Sequence, residues 1–302
     1  MKRPPLPDAL AARLLCCDGA MGTQLLARGL APGECGMLWN VDRPASVQQV
    51  HEAYRSAGCD LITTNTFGGT ATALERHGLA DRAAELNRAA ARIARAAAGE
   101  NGWVLGDVGP FGDFLEPLGD TTSEELRNIF RAQIQALIEG GADAILIETM
   151  SDPAEAAVGV EAAKSCDSAV PVIVTYAFQT TASGEFRTMM GSGVEEAVSS
   201  AVGAGAQIVG ANCGTSLGLD DYVQLARQIV RAANGAHVIL QPNAGSPRAV
   251  GDGAVYDATP DQMAATALEL AASGVRVIGG CCGTSPGHLA AMSRALRVQQ
   301  TA

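Results

Sequence analysis

The chain has 302 residues, of which 47% are hydrophobic, and its formal net charge at pH 7 is −11. This length and composition are enough to bury a full hydrophobic core, and one domain covering residues 1–302 is expected. The acidic balance, together with the lack of any long Lys/Arg cluster in the sequence, removes the electrostatic basis for binding nucleic acid or an anionic membrane. A small-molecule partner is therefore expected.

The beginning of the sequence does not predict a secretory signal. Met1-Lys2-Arg3 is basic, but Asp8 and Arg13 interrupt what would have to be an apolar segment. No later apolar run approaches the roughly 20 residues that are needed to span a bilayer. A cytoplasmic protein is expected, and in a reducing compartment its 8 cysteines are better suited to metal binding or to the core than to disulfides.

In chain order, short apolar segments that end in Gly, Asp, Asn or Cys alternate with Ala-rich stretches of helical period. The apolar side chains between Thr122 and Gly140 recur at three- and four-residue steps, which predicts a helix with one buried face. Further helix starts are predicted at Asp152-Pro153 and Thr259-Pro260. The predicted strands are Leu14–Ala20, Asp60–Phe67, Trp103–Pro110, Ala144–Met150, Pro171–Phe178, Ile208–Gly214, His237–Gly245 and Arg276–Gly283.

Each predicted strand is followed by a loop, a helix and a glycine that returns the chain to the next strand. This repetition predicts an α/β fold with a parallel sheet, and eight units would close it into a single (β/α)8 TIM barrel. An open doubly wound sheet is the alternative, but no Gly-x-Gly-x-x-Gly follows the first strand. In a barrel, the functional residues are expected at the carboxyl ends of the strands.

Three cysteines follow two of these strand ends. Cys213 ends the sixth segment, and the adjacent Cys281 and Cys282 end the eighth. Three thiolates can hold Zn²⁺ and leave its fourth tetrahedral position for a substrate. Such a zinc is a weak Lewis acid but can keep an incoming thiol deprotonated, so the pattern favours thiol alkylation. Adjacent cysteines can bind one ion only if the strand distorts or ends there, which the flanking glycines permit.

Other interpretations of the same residues remain open. The cysteines could be small buried core residues, and the loop from Gly279 to Thr284 could cradle a phosphate at the start of a helix. A cysteine-nucleophile hydrolase would need a histidine near its thiol. The histidines His51, His77 and His288 lie outside the strand-end motifs, and solvated helices or loops are expected around them.

The strand-end motifs together closely resemble the homocysteine S-methyltransferase family, the homocysteine-binding barrels of betaine–homocysteine methyltransferase, S-methylmethionine-dependent enzymes and cobalamin-dependent methionine synthase. The resemblance covers nearly the whole chain. It rests on Asp18-Gly19-Ala20-Met21-Gly22-Thr23, Thr64-Asn65-Thr66-Phe67-Gly68, Gly106-Asp107-Val108-Gly109-Pro110, Ile147-Glu148-Thr149, Gly210-Ala211-Asn212-Cys213-Gly214, Pro242-Asn243-Ala244-Gly245 and Gly280-Cys281-Cys282-Gly283-Thr284.

The resemblance implies zinc-dependent methyl transfer to the thiolate of L-homocysteine, forming methionine. Cys213, Cys281 and Cys282 would hold the zinc, and Glu148 would pair with the substrate ammonium. The substrate carboxylate would be held at the backbone of the first loop, which maps to three residues of this sequence, namely Asp18, Gly19 and Ala20. Asn65 and Asn243 are further candidates for substrate contact, with loop bracing as the other interpretation for both.

The methyl donor implied by the resemblance is an onium compound of the betaine or S-methylmethionine type. A cationic donor needs an aromatic face, and Trp39 in the long first loop is the candidate. Gly68 and Gly69 stand where betaine-type relatives carry an aromatic residue, and Gln241 stands where methionine synthase modules carry an acid. Two alternatives stay open: a module that accepts the methyl group from a methylcorrinoid protein or methylcobalamin, and a non-catalytic zinc-thiolate subunit of a methyltransferase complex.

Overall fold

The computed structural model of the chain describes residues 3–250 and 253–301. Within them, eight parallel strands form one sheet in the order β1-β12-β9-β8-β5-β4-β3-β2, and a parallel bridge between Cys17 and Leu61 joins its two edges. The predicted (β/α)8 barrel is confirmed. The strands are β1 Leu15–Cys16, β2 Leu61–Thr63, β3 Trp103–Val108, β4 Ala144–Met150, β5 Val172–Tyr176, β6 Phe178–Thr180, β7 Phe186–Thr188, β8 Ile208–Asn212, β9 His237–Gln241, β10 Arg248–Val250, β11 Gly253–Val255 and β12 Val277–Ile278.

Each predicted segment contains one barrel strand. The bounds of β4 are as predicted, and the other seven strands are shorter, chiefly because the chain turns away at their carboxyl ends. Two antiparallel hairpins, β6–β7 and β10–β11, stand in the loops that follow β5 and β9. Neither hairpin is among the elements that the sequence predicts. Both lie at the carboxyl end of the barrel, where they extend the loops around its open mouth.

The helices surround the sheet and connect its strands. They are α1 Leu6–Ala12, α2 Met21–Leu26, α3 Trp39–Asp42, α4 Pro44–Ser56, α5 Ala71–Glu75, α6 Ala83–Ala98, α7 Ser123–Gly140, α8 Pro153–Cys166, α9 Val194–Ala204, α10 Leu219–Ala232, α11 Pro260–Ala272 and α12 Pro286–Thr301, with short 3-10 helices at Gly36–Leu38 and Ala80–Arg82. In the part of the chain that is described, no helix combines the length and apolar character needed to cross a bilayer.

The predicted helix starts are confirmed by their capping bonds. Thr122 forms a capping box at α7, in which its backbone N–H donates to Glu125 Oε2 at 2.8 Å and Glu125 N donates to Thr122 Oγ1 at 3.3 Å. Asp152 accepts from Ala154 N at 2.8 Å at the start of α8. The glycine that ends α7, Gly141, has a φ of 106°, the left-handed geometry that lets the chain turn directly into β4.

Apolar side chains fill the inside of the barrel at the end where the strands begin. Inward side chains of the strands form one apolar cluster with Leu6, Ala9 and Leu10 of α1. The first helix is fixed there, because the Arg276 guanidinium donates to the Leu10 carbonyl at 2.7 Å and Trp103 Nε1 donates to the Pro4 carbonyl at 3.2 Å. This end of the barrel is therefore closed, and the opposite end is left for a ligand.

The expectation of a solvated His51 is wrong. His51 lies on α4 with an exposed fraction of 0%, and neither ring nitrogen has a hydrogen-bond partner within the described residues. Burial lowers its pKa from 6.5 to about 4. His77 is exposed, as expected, whereas His288 is partly buried, with its ring bonded to Ser285 Oγ at 2.8 Å and to the Ala258 carbonyl at 2.9 Å.

Candidate metal centre and substrate cavity

The three cysteines of the predicted zinc site lie together at the carboxyl end of the barrel. Their sulfur atoms are all within 4.8 Å of one another, and Sγ of Cys213 lies 3.4 Å from Sγ of Cys282. Three sulfurs on a tetrahedral zinc, each at ~2.3 Å from the metal, would be ~3.8 Å apart. Small side-chain adjustments would therefore bring this donor set onto one Zn²⁺ ion.

Local backbone geometry explains how adjacent cysteines face the same point. Cys213 follows β8 with a φ of +48°, in the left-handed region, which turns it out of the strand direction. Cys281 and Cys282 follow the end of β12 at Ile278, so the alternation of a strand no longer applies to them. Bonds from Cys281 N to the Pro242 carbonyl at 2.8 Å and from Ala244 N to the Cys282 carbonyl at 2.9 Å hold this loop.

In the absence of a metal, the contacts among the three thiols favour a thiolate at Cys282 and the neutral thiol at Cys213 and Cys281, whose pKa values are raised. Hydrogen bonds from Cys213 and Cys281, with a further one from the Tyr256 hydroxyl, lower the pKa of Cys282. Asn212 Nδ2 lies 3.8 Å from Cys281 Sγ and donates to Thr149 Oγ1 at 2.6 Å. No role is predicted for Tyr256 from the sequence, because it directly follows the β10–β11 hairpin, which is not predicted either.

A cavity of about 700 Å³ opens beside the cysteines at the mouth of the barrel. Four carboxyl groups line it: those of Asp18, Asp107 and Glu148 lie inside the barrel mouth, and that of Glu34 is exposed, as part of a lining that also includes Arg76 and His77. Phe67 is its one aromatic lining residue among those described, with an exposed fraction of 46%. The size of the cavity matches a small-molecule ligand rather than a polymer.

Burial sets the charge state of the carboxyl groups. Asp18 accepts from the backbone N–H and the hydroxyl of Thr63, both at 2.8 Å, yet burial raises its pKa to about 7. Burial, then Asp18 and Cys282, raise the pKa of Glu148 to about 8. A cavity that combines these acids with three cysteine thiols would be strongly negative if all were ionised. It therefore suits cationic ligands such as a metal ion and an ammonium group.

Asp107 belongs to the motif Gly106-Asp107-Val108-Gly109-Pro110, but no role is predicted for its side chain from the sequence. It lies on β3 with 3% exposure and lines the cavity. Burial, then Glu148 and Asp18, raise its pKa well above the usual value. An available signal was the inward alternation of Trp103, Leu105 and Asp107, which places an acid inside an otherwise apolar barrel.

The first loop contributes both to the cavity and to its support. Asp18, Gly19 and Ala20 all line the cavity. The Ala20 N–H donates to Thr284 Oγ1 at 3.1 Å, and the Asp18 carbonyl accepts from Gly280 N at 2.9 Å. These bonds connect the first loop to the segment that contains Cys281 and Cys282. The Ala20 amide, which was expected to hold a substrate carboxylate, already has a hydrogen-bond acceptor in Thr284.

The remaining predicted site residues are placed differently. Asn65 lines the cavity, but its amide donates to the Gly36 carbonyl at 2.9 Å and so braces the first loop. Asn243 donates to the Gly214 carbonyl at 3.0 Å beside Cys213. Both have the bracing contacts that were the alternative interpretation.

Trp39 is not brought to the cavity. Trp39 is the first residue of α3 and does not lie in a loop. Its side chain packs in the main hydrophobic core and has an exposed fraction of 6%. The Arg43 guanidinium lies 4.6 Å from its ring centroid. The aromatic face that a cationic donor would need already carries a cation of this chain, so the geometry does not support a donor-binding role for Trp39.

Comparisons with known proteins agree with this arrangement. The sequence profile described as "Homocysteine S-methyltransferase" matches residues 15–296. The chain is 33% identical to "Methionine synthase" of Mycobacterium tuberculosis over 96% of its own length and 32% identical to that of Mycobacterium leprae. It spans 25% of the length of these relatives.

The fold is shared with solved structures. The metallated form of the homocysteine methyltransferase MmuM from Escherichia coli superposes with a TM-score of 0.77 at 23% identity, over 96% of this chain and 99% of that one. A methyltransferase from Methanosarcina mazei gives a TM-score of 0.65 at 14% identity, over 98% of each chain. At these identities the matches establish the fold, whereas the profile match covers most of the chain and establishes the family. The chain belongs to the homocysteine S-methyltransferase family.

Proposed function

We propose that the chain transfers a methyl group to the sulfur of L-homocysteine and so forms methionine, with Zn²⁺ held by Cys213, Cys281 and Cys282. The observation that carries this proposal is the convergence of three thiols on one point beside a cavity of about 700 Å³, which has room for an amino acid and a small methyl donor. When bound, zinc would lower the pKa of the substrate thiol and keep it as a thiolate near neutral pH.

The side chains of the cavity would orient the amino acid. Glu148 would accept hydrogen bonds from the substrate ammonium, and that cation would in turn allow the buried carboxyl to ionise. The first loop, at Asp18, Gly19 and Ala20, would face the substrate carboxylate. Because the Ala20 amide is engaged by Thr284, the neighbouring amides would carry most of that contact.

The transfer needs alignment more than acid–base chemistry. The sulfur lone pair forms the new S–CH₃ bond while the bond from the methyl carbon to the donor atom breaks, and the electron pair of that bond stays with the donor. No proton moves at the methyl carbon, so no general base is needed beside it. The contribution of the protein is to hold sulfur and methyl group in line and to exclude water.

The donor in this proposal is a small onium compound, of the betaine or S-methylmethionine type. Phe67 is the aromatic residue placed to meet it. Zinc thiolates also require free thiols, and all 8 cysteines are free, so the proposal includes a reducing, cytoplasmic setting.

A methylcorrinoid carried by a partner protein is the second candidate donor. Exposed large apolar side chains occur in the segments between a barrel strand and the long helix that follows it, where a large partner would approach the mouth, and they are Leu26, Phe67, Phe114, Leu118, Met189, Met190 and Val255. The similarity to methionine synthases also favours this donor. A non-catalytic zinc-thiolate subunit would show no turnover with either kind of donor.

The test is to purify the chain with zinc, supply L-homocysteine and compare methionine formation from betaine, S-methylmethionine and methylcobalamin. We expect turnover with at least one donor and its loss in Cys213→Ser. If the zinc-loaded chain binds homocysteine but forms no methionine from any of them, or from a methylated corrinoid protein, the proposed activity is wrong and the subunit role remains.

A further inference from the structure

Asp107 lies in the interior of the barrel, beside the proposed ammonium site. Asp107 on β3 pairs with Leu146 on β4, and Glu148 follows Leu146 by two residues. Because strand side chains alternate, Asp107 and Glu148 point to the same inner face, with Asp107 one layer deeper. Both line the cavity that contains the three cysteines.

The backbone of Asp107 is fully engaged, but its carboxyl group is not. Its N–H donates to Thr64 Oγ1 at 2.9 Å, and its carbonyl accepts from Thr66 Oγ1 at 2.6 Å and from Gln133 Nε2 at 3.2 Å. Within residues 3–250 and 253–301, Oδ1 has no hydrogen-bond partner. A buried polar group without a partner is costly and rare, which points to a ligand that supplies one.

The neighbouring groups define the chemistry of that ligand. Glu148 and Asp18 are the acids that act on Asp107 electrostatically. Gln241 lines the same cavity and is 3% exposed. Its amide nitrogen lies 3.8 Å from Cys17 Sγ, and its Oε1 has no hydrogen-bond donor within the described residues. Acids and acceptor oxygens together require a hydrogen-bond donor that carries positive charge.

We propose that Asp107 is a second substrate-binding carboxylate, which binds the ammonium group of the amino acid together with Glu148. This inference rests on the proposed function, because homocysteine supplies the ammonium. Asp107 would thereby favour binding of thiols that carry an α-amino group over thiols that lack one. An ammonium group has three N–H donors, and two carboxyl groups can accept hydrogen bonds from more of them than one carboxyl group can.

The test measures binding directly, without a methyl donor. Zinc-loaded wild type and Asp107→Asn are titrated by calorimetry with L-homocysteine and with 4-sulfanylbutanoic acid, which keeps the thiol and the carboxylate but lacks the amino group. We expect Asp107→Asn to weaken homocysteine binding roughly 10- to 100-fold and to change binding of the analogue by less than about threefold. Its midpoint of thermal unfolding should stay the same or rise, because an unpartnered buried acid is removed.

Asp60→Asn is the matched control. Asp60 precedes β2 at the closed end of the barrel, where it binds Arg13 and Cys16 N, so this variant should lower the midpoint of unfolding and leave the affinity for homocysteine unchanged. Equal losses for both ligands in Asp107→Asn, or no loss for homocysteine, would overturn the inference while wild-type binding left the proposed function intact. Zinc-loaded wild type that does not bind homocysteine would overturn both.

Discussion

Asn212 Nδ2 donates to Thr149 Oγ1 at 2.6 Å and lies 3.8 Å from the sulfur of Cys281, so one amide joins the ends of β8 and β4 to the cysteine loop after β12. Thr149 has a φ of +59° and the next residue after Asn212, Cys213, has a φ of +48°. Such conformations cost roughly 1–3 kcal/mol in non-glycine residues and persist only where the surroundings hold them. Asn212 is the side chain that connects these two strained positions.

This relationship predicts that Asn212 supports metal binding without being a ligand. Asn212→Ala should weaken zinc affinity roughly 10- to 100-fold, as is typical for residues that orient metal ligands. Competition with a chromophoric zinc chelator measures the effect. Asn128→Ala, at an exposed position on α7, is the control and should bind zinc as the wild type does. Equal zinc affinity in both variants would show that the cysteines need no such support.

The thiol cluster makes a stoichiometric prediction. Cys213→Ser, Cys281→Ser and Cys282→Ser should each lose bound zinc after dialysis, because a site with two thiolates holds the ion much more weakly. Cys166→Ser changes a partly buried thiol at the end of α8, far along the chain from the cluster, and should keep one zinc per chain. Elemental analysis gives the ratio. Full zinc retention in any of the three cluster variants would remove that cysteine from the ligand set.

His51 predicts a pH dependence of stability. Its pKa in the folded protein, about 4, is below the unfolded value of 6.5, so the unfolded chain binds more protons between these values. The contribution of neutral His51 is complete above pH 6.5 and is lost as the pH falls from 6.5 to 4, by on the order of 3 kcal/mol. The physical cause is burial of a ring that has no described partner for a charge.

His51→Leu isolates this effect from the buried acids, whose raised pKa values act in the opposite direction. Urea unfolding of both proteins at several pH values gives the difference in unfolding free energy. We expect this difference to move in favour of His51→Leu as the pH falls from 6.5 to 4 and to be constant above 7. A difference independent of pH would mean that the pKa of His51 is the same in the folded and the unfolded chain, which would contradict the effect of burial.

Parts of this site were readable in the sequence because they depend on local order. The hydrophobic period and the Gly, Pro and capping residues indicate where strands end and helices begin. They also place Cys213, Cys281 and Cys282 at strand ends, and a parallel barrel brings all its strand ends to the same side. The roles of Asp107 and Trp39 depend on which side chains meet across the fold. Nothing local indicates that Arg43 covers the Trp39 ring or that Asp107 lacks a partner.

The placement of the aromatic residues gives a test of the donor site. Trp39→Leu should destabilise the protein by on the order of 2–4 kcal/mol, because a buried ring is truncated, and should leave the KM for the methyl donor unchanged. Phe67→Ala removes a half-exposed ring from the cavity wall, so its unfolding free energy should change by less than about 0.5 kcal/mol.

With an onium donor, Phe67→Ala should raise the donor KM roughly 3- to 30-fold while the KM for homocysteine stays within experimental error, because the aromatic ring is expected to contact the onium group of the donor and not the amino acid. Urea unfolding and steady-state kinetics with the donor that supports turnover separate the two effects. The reverse pattern, with the donor KM raised in Trp39→Leu and unchanged in Phe67→Ala, would place the donor on the α3 side of the first loop and move the methyl-transfer path away from Phe67.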